Sequence, residues 1–291
     1  MSSADPGGFA VPWHDVPVAD EILTNPRAER VKAVRALAGR TVRQRAGRFV
    51  VEGPQSVREA VLAADVHDVY VTVESAQRYP EIVGAARERR IRVHTGTVEV
   101  LDAMSPDGQQ VVAVAALTAH TLDSVLAGAP RLVAVLAHVR DPGNAGTVVR
   151  AADAAGADAV VLTAQSVDLH NPKVVRSTAG SLFHLPVVTG TDLPSTVDAL
   201  RAAGLTVLAA DGAGVHDLDD LLDVAGRAPA GVPDLARPTA WVFGNEAWGL
   251  REEDRALADA VVRVPIRGRA ESLNLATAAT VCLYASSRAQ R

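Results

Sequence analysis

Two spacings of apolar residues alternate along this chain, one with the 3.6-residue period of an amphipathic helix and one made of short, nearly continuous apolar runs. From residue 27 to 46 the spacing is helical, because Val31, Val34, Leu37 and Ala38 fall at i, i+3, i+6 and i+7 on one face. Beyond it the runs shorten. Residues 49–52, 68–73, 91–94 and 111–117 predict strands, separated by helical stretches near 54–64, 80–89 and 97–104. Residues 22–117 are therefore expected to form a compact α/β domain. The segment 118–130, with Gly128 and Pro130, is expected to be a linker carrying a short helix.

A second alternation then begins. Residues 132–139, 157–163, 206–210, 239–243 and 260–264 are apolar almost throughout, as strands of a parallel sheet are when helices cover both faces. Helical stretches near 143–155, 192–203 and 251–258 fall between them, which favours right-handed βαβ crossovers. Residues 211–238 are rich in Gly, Asp, Ala and Pro and predict a surface excursion with one short helix near 217–224. A last helix of small residues is expected to run to about Ala289. The predicted class is α/β, with a second domain over 131–291 and residues 1–21 as a flexible leader.

Composition narrows this picture. Apolar residues make up 48% of the 291 and aromatics only 3%, so the core must be packed from Ala, Val and Leu. The first 20 residues lack a basic-then-apolar signal pattern, and nowhere do 18 apolar residues run without a charge, so a cytoplasmic protein with no membrane span is expected. Cys282 is the single cysteine, which excludes an intramolecular disulfide framework and a cysteine-based zinc cluster. Its place in the apolar run from Ala278 to Ala285 predicts a buried, unreactive thiol. The eight histidines form no paired-ligand motif, so no metal is expected.

The net charge of −5 would argue against a polyanionic partner, but charge is unevenly placed. Residues 22–60 carry nine Arg and Lys against three Glu, a local +6. Arg27, Lys32, Arg40, Arg43, Arg45 and Arg48 are candidate contacts to RNA phosphates, whose oxygens a guanidinium fork matches in pairs. A solvated helix face is the plainer alternative.

Three segments place Gly, Asn or small polar residues directly after a predicted strand, where ligands of open α/β sheets bind. In the first, Asp141-Pro142-Gly143-Asn144 makes a tight turn in which Asn144 can cap the following helix. Arg150 follows in apolar company, and there it needs an anionic partner, either a structural acid such as Asp153 or a substrate phosphate. In the second, Phe243-Gly244-Asn245-Glu246 lets backbone amides approach a ligand at Gly244, while Glu246 taken alone reads equally as a helix-start charge. In the third, Arg267-Gly268-Arg269 precedes Glu271-Ser272-Leu273-Asn274, and capping accounts for only one of Ser272 and Asn274.

In this order the three segments resemble the three motifs of the SpoU/TrmH family within the SPOUT methyltransferase superfamily. Asn-x-Gly-x-x-x-Arg at 144–150, Phe-Gly-Asn-Glu at 243–246 and Glu-Ser-Leu-Asn at 271–274 carry the likeness, with Asn171-Pro172-Lys173 and the residues up to Ser181 similar to a further family segment. It covers about residues 131–289. Residues 22–117, through their first helix and Phe49-Val50-Val51-Glu52-Gly53, are similar to the substrate-binding domain that precedes the catalytic domain in many such enzymes.

The resemblance implies an α/β trefoil knot, a homodimer, and S-adenosylmethionine held by backbone groups around Phe243, Gly244, Asn245, Ile266, Leu273 and Leu275. It implies transfer of a methyl group to a ribose 2′-hydroxyl of RNA, with 23S rRNA as the expected acceptor and tRNA as the alternative. Arg150, Asn144, Glu246, Ser272 and Asn274 match the family's functional positions. A guanidinium with a pKa above 12 is a poor base and a good anion clamp, so Arg150 is expected to hold a phosphate and stabilise developing alkoxide charge, at the partner subunit's cofactor if the site lies at the dimer interface. The second motif commonly has Gly where this chain has Ala247, and the added methyl would narrow the site if residue 247 needed a positive φ. The rival from another class is an RNA-binding or ribosome-assembly factor without turnover. A dinucleotide oxidoreductase is disfavoured, since no Gly-x-Gly-x-x-Gly follows an early strand.

Overall fold

The computed structural model describes residues 22–291, so the expected leader over 1–21 lies outside the described residues. The first part of the chain runs α1 (Glu29–Ala36), α2 (Arg40–Ala46), β1 (Arg48–Glu52), α3 (Pro54–Ala63), β2 (Val66–Val71), α4 (Val73–Arg78), α5 (Pro80–Glu88), β3 (Arg92–Thr95), α6 (Val98–Met104) and β4 (Val111–Ala116). Its sheet has the order β1-β4-β2-β3, with β4 antiparallel to both neighbours and β3 parallel to β2. Val31 and Val34 of α1 and Leu37 just after it pack with Val100 and Leu101 of α6 on one face, while Val57 and Val61 of α3 and Ile82 of α5 cover the other.

The helix expected over 27–46 is two helices. Leu37 ends α1, and Gly39 adopts an extended conformation before α2 begins. This break turns Arg43 inward, and it is only 3% exposed. Its Nη1 donates to the carbonyls of Leu37 (2.8 Å) and Ala38 (2.6 Å), at the carboxyl end of α1, and its Nη2 pairs with Asp168 at 2.5 Å. The assignment of Arg43 to RNA contact is therefore corrected: its guanidinium is spent on protein carbonyls and a carboxylate. The strand expected over 68–73 stops at Val71, because Thr72 caps α4 by accepting from the Ser75 amide at 3.0 Å.

The second part runs α7 (Leu122–Leu126), β5 (Leu132–Leu136), α8 (Pro142–Ala155), β6 (Ala159–Thr163), α9 (Pro172–Ser177), a 3₁₀ turn (Ser181–Phe183), β7 (Val187–Thr191), α10 (Leu193–Ala202), β8 (Thr206–Ala210), β9 (His216–Asp217), α11 (Leu218–Asp223), β10 (Thr239–Phe243), α12 (Glu252–Arg255), β11 (Ala260–Arg263) and α13 (Leu275–Ala289). The seven strands are parallel, in the order β7-β6-β5-β10-β8-β11-β9. Periodicity did not signal β7, and the reason is its place at the sheet edge: Val187 and Val188 are buried, but Thr189 and Gly190 are exposed.

Alternate residues of β5 and β10 serve the two faces. Leu132, Ala134, Trp241 and Phe243 face the layer of α8, α9 and α13, whereas Val133, Val135, Ala240 and Val242 face α10. The Trp241 indole N–H is satisfied inside the core by Ser286 Oγ at 2.9 Å. Cys282 is fully buried and its thiol pKa is pushed up by burial, as its apolar setting predicted. Gly146 accounts for the glycine of the first motif. A Cβ there would lie 2.5 Å from Ser177 Cβ and 2.6 Å from the Val174 carbonyl, so the residue permits α8 and α9 to touch.

One apolar cluster continues from β1 and α3 into α8, α9 and α13, joining the two parts of the chain. Phe49 packs on His170 with ring centroids 4.6 Å apart. Glu52, 6% exposed, pairs with Arg176 at 2.5 Å, and His184 bridges Asp153 (2.8 Å) and Glu59 (3.2 Å).

Candidate active site at the carboxyl ends of the parallel strands

In this sheet β10 lies between β5 and β8, so the connections leaving β5 and β10 diverge and open a crevice at the carboxyl ends of the strands. Three loops fill its rim. The loop after β5 turns at His138, a non-glycine residue at φ 58°. That conformation is fixed on both sides: the His138 amide donates to Thr163 Oγ1 at 3.1 Å, and its carbonyl accepts from Asn245 Nδ2 at 2.7 Å. Asp141, followed by Pro142 at the first helical position, caps α8 by accepting from the Asn144 amide at 2.7 Å. Asn144 is thus not the cap that the turn predicted, and its side-chain amide is left for the site.

The loop after β10 closes on itself. Asn245 N–H donates to the Gly249 carbonyl at 2.9 Å and Gly249 N–H returns to Asn245 at 2.8 Å, with Gly249 at φ 68°. A Cβ on Gly244 would lie 2.3 Å from the Gly249 carbonyl carbon, so only glycine fits where β10 enters this turn. The positive φ falls on Gly249 and not on Ala247, so the methyl at 247 causes no backbone strain. Glu246 is not a charge opening its own helix, since α12 starts only at Glu252. Its carboxylate crosses to the amino end of α8, accepting from the amides of Arg140 (3.4 Å) and Asp141 (3.2 Å) and from Asn144 Nδ2 (3.4 Å).

The third loop, from Val264, delivers Asn274 to the start of α13. Asn274 Oδ1 caps that helix by accepting from Ala276 N–H at 2.9 Å, while its Nδ2 donates to Asn144 Oδ1 at 3.0 Å. Capping thus explains Asn274 and not Ser272, which is exposed and turned to the cavity. The three motifs are joined in one chain of hydrogen bonds, Asn274 to Asn144 to Glu246.

Beneath this chain lies a cavity of about 350 Å³ lined by Phe243, Gly244, Asn245, Glu246, Ile266, Ser272, Leu273 and Leu275, so ten of the eleven expected catalytic and cofactor residues converge once Asn144 and Asn274 at its rim are counted with them. Val262 and Val264 extend its apolar wall, and Asp211 and Glu271 add carboxylates. Such a lining suits a ligand with a flat apolar body and a cationic end. Asp211 and Gly212 were absent from the sequence expectations. They follow β8 directly, so the rule that flagged the other strand ends applies to them too, but they sit in the excursion over 211–238, read as surface.

Arg150 lies elsewhere. It is exposed, six residues and so about 9 Å along α8 from Asn144, and it does not line the cavity. The expectation of apolar surroundings is corrected: Val148 and Val149 point into the core, while Arg150 shares the outer stripe of α8 with Thr147 and Ala154. Among the described residues no hydrogen bond or ion pair engages its side chain, and Asp153 is bonded to His184 instead.

Residues 131–284, carrying all three loops, match the profile of the SpoU rRNA Methylase family. The chain belongs to that family. Residues 28–113 match the MRM3-like substrate binding domain. Among curated relatives of this SpoU-family chain, the 23S rRNA (uridine(2479)-2′-O)-methyltransferase of Streptomyces viridochromogenes is 34% identical over 94% of this chain and 93% of its own. A 23S rRNA (guanosine(2553)-2′-O)-methyltransferase of Bacillus subtilis (strain 168) is 32% identical over 90% of this chain and 97% of its own. The AdoMet-bound rRNA methyltransferase from Sinorhizobium meliloti superposes with a TM-score of 0.76 at 28% identity, covering 92% of this chain and 97% of that one. The SpoU methyltransferase AviRb from Streptomyces viridochromogenes, in complex with AdoMet, gives 0.74 at 32% identity, covering 90% and 98%.

Proposed function

We propose that this SpoU-family protein transfers a methyl group from S-adenosylmethionine to a ribose 2′-hydroxyl of 23S rRNA. The observation that carries the reading is the hydrogen-bonded chain of Asn274, Asn144 and Glu246 across the mouth of the strand-end cavity. The cavity residues fit the cofactor by their chemistry. Ile266, Leu273 and Leu275 offer an apolar wall to an adenine ring, Gly244 brings backbone close, and carboxylates face a cationic sulfonium and ammonium. When bound, the cofactor supplies the electrophilic methyl group. Asn144, Asn274 and Glu246 hold the acceptor ribose and one another in a fixed arrangement. Ser272, exposed on the lining, is free to hydrogen-bond either substrate.

Arg150 clamps the phosphate beside the acceptor and stabilises the negative charge that develops on the 2′-oxygen, whose proton passes to solvent. Its distance from the cavity of its own chain fits a homodimer in which it serves the partner's cofactor. Tyr284 Oη donates to the Ala154 carbonyl at 3.3 Å, four residues from Arg150, and with Tyr284 47% and Val281 40% exposed, Arg150 stands on a partly apolar outer face suited to a second copy. The trefoil threading of the loops after β10 and β11 belongs to the same reading, as does a cytoplasmic location with the ribosome. No helix among the described residues is long and apolar enough to cross a membrane.

Residues 22–117 serve as the rRNA-binding domain and 131–291 as the methyltransferase domain. Arg27, Lys32, Arg40 and Arg45 are exposed, Lys32 beside Glu29 and Arg40 beside Asp168, and these four are the candidate phosphate contacts that remain without Arg43; Arg48 is half-buried and engaged within the protein. The test is transfer of labelled methyl to 23S rRNA lacking the modification, with alkali-resistant dinucleotides locating the 2′-O-methyl group. Arg150→Ala is expected to lose transfer by at least about 100-fold with cofactor affinity intact. Transfer to tRNA in place of rRNA, or binding of rRNA without transfer, overturns the reading.

A further inference from the structure

Trp248 occupies an unusual place for an indole in a chain so poor in aromatic residues. It is 45% exposed, whereas Trp241 is fully buried. The turn that carries it is pinned by the reciprocal bonds of Asn245 and Gly249, so the ring stands on a rigid base. Glu246, Ala247 and Gly249 line the cavity and Trp248 does not, which places the ring outside the cofactor cavity, beside its mouth. Arg140 reaches it from the loop after β5, with its guanidinium carbon 5.5 Å from the ring centroid. Among the described residues the Arg140 side chain has no ion pair or hydrogen bond, and its own backbone amide donates to Glu246.

An exposed ring carrying an unpaired guanidinium, two residues from a group that faces the acceptor ribose, is the composition of a nucleobase platform. We infer that Trp248 and Arg140 bind the acceptor nucleotide itself, the indole stacking on its base and the guanidinium countering its phosphate; this rests on the rRNA reading above. A ribose can present its 2′-oxygen to a methyl donor only if its nucleotide leaves the helical stack, and an aromatic face at the cavity mouth replaces the stacking that is lost. Every base has a π-face, so the platform fixes the nucleotide's position without choosing its identity.

Trp248→Ala is expected to lower kcat/KM for rRNA methylation by about 5- to 150-fold, the range of one lost base stack, with cofactor affinity unchanged by calorimetry. Trp248→Phe keeps a π-face and is expected to stay within about threefold of wild type. In protein carrying Trp13→Phe, rRNA should quench the emission of the exposed indole, and adding Trp248→Phe should abolish the quenching. Wild-type kcat/KM in Trp248→Ala overturns the platform. Conversion of that variant to monomers by light scattering also overturns it, by making the ring a subunit contact. A wild-type protein that binds cofactor but transfers no methyl to rRNA overturns the acceptor reading, and the platform falls with it.

Discussion

Gly244 is where one missing side chain decides the site. Its backbone lies so close to Gly249 and Leu250 that a methyl group would meet three of their atoms within 2.4 Å. Gly244→Ala must therefore move the turn that holds Asn245 and Glu246. We expect about 2 kcal/mol or more of lost stability together with at least a tenfold loss of cofactor affinity, checked by urea unfolding and calorimetry. Ala247→Gly is the control. Residue 247 has no positive φ, so restoring the glycine common in the family should leave cofactor affinity within about twofold. The sequence marked both positions, Gly244 for backbone approach and 247 for strain, and the tertiary structure separated them: a Cβ at 244 would collide with the Gly249 and Leu250 backbone, whereas Ala247 has no positive φ.

Among the elements, α13 depends on a residue with two tasks. Asn274 caps the helix through Oδ1 and holds Asn144 through Nδ2. Asn274→Ala loses both, at a cost of about 1 kcal/mol for the cap. Asn274→Asp keeps the cap but points a carboxylate at the Asn144 oxygen, near Glu246. It is therefore expected to match wild type in thermal stability while losing methyl transfer by at least tenfold. Equal losses of stability in both variants would mean that the cap geometry cannot be separated from the site. The break between α1 and α2 belongs to this scale too. The apolar spacing over 31–38 is helical throughout, and nothing in it distinguishes one helix from two. The stop comes at the extended Gly39, and the Arg43 side chain satisfies the carbonyls that the stop exposes.

At the scale of the whole molecule, the two parts of the chain are fastened by charges and rings that face each other across their junction. His170 is among them, held against Phe49 and next to Asp168. Burial, opposed by Asp168 and reinforced by Arg43, lowers its pKa from 6.5 to about 4, so it is neutral in the folded protein at pH 6. The unfolded chain binds a proton there first. Stability is therefore lost as pH falls from about 6.5 toward 4, by up to about 3 kcal/mol. His184 has the opposite sign: its hydrogen bond to Asp153, partly offset by burial and aided by Glu59, raises its pKa, so its contribution is present below 6.5 and fades as pH rises through the raised value. His170→Phe is expected to flatten the acid limb of the melting temperature between pH 6.5 and 4. An unchanged limb would assign the acid sensitivity to other groups.

By itself the sequence determined the α/β class, the sites of most strands, the three loops that carry the family motifs and their order. Those features are local: apolar period, turn residues and small polar residues after a strand all act within a few positions of one another. It left open whatever depends on a partner far along the chain. Arg43 and Asp168 are 125 residues apart, and Asn144 and Asn274 are 130 apart. Charge pattern alone could not tell an arginine turned to phosphate from one turned to a distant carboxylate, nor a helix cap from a site amide. Arg150 is the converse case. Its apolar neighbours in sequence suggested burial, but successive residues of a helix point in different directions, and the tertiary packing of α8 put Val148 and Val149 inside and Arg150 outside.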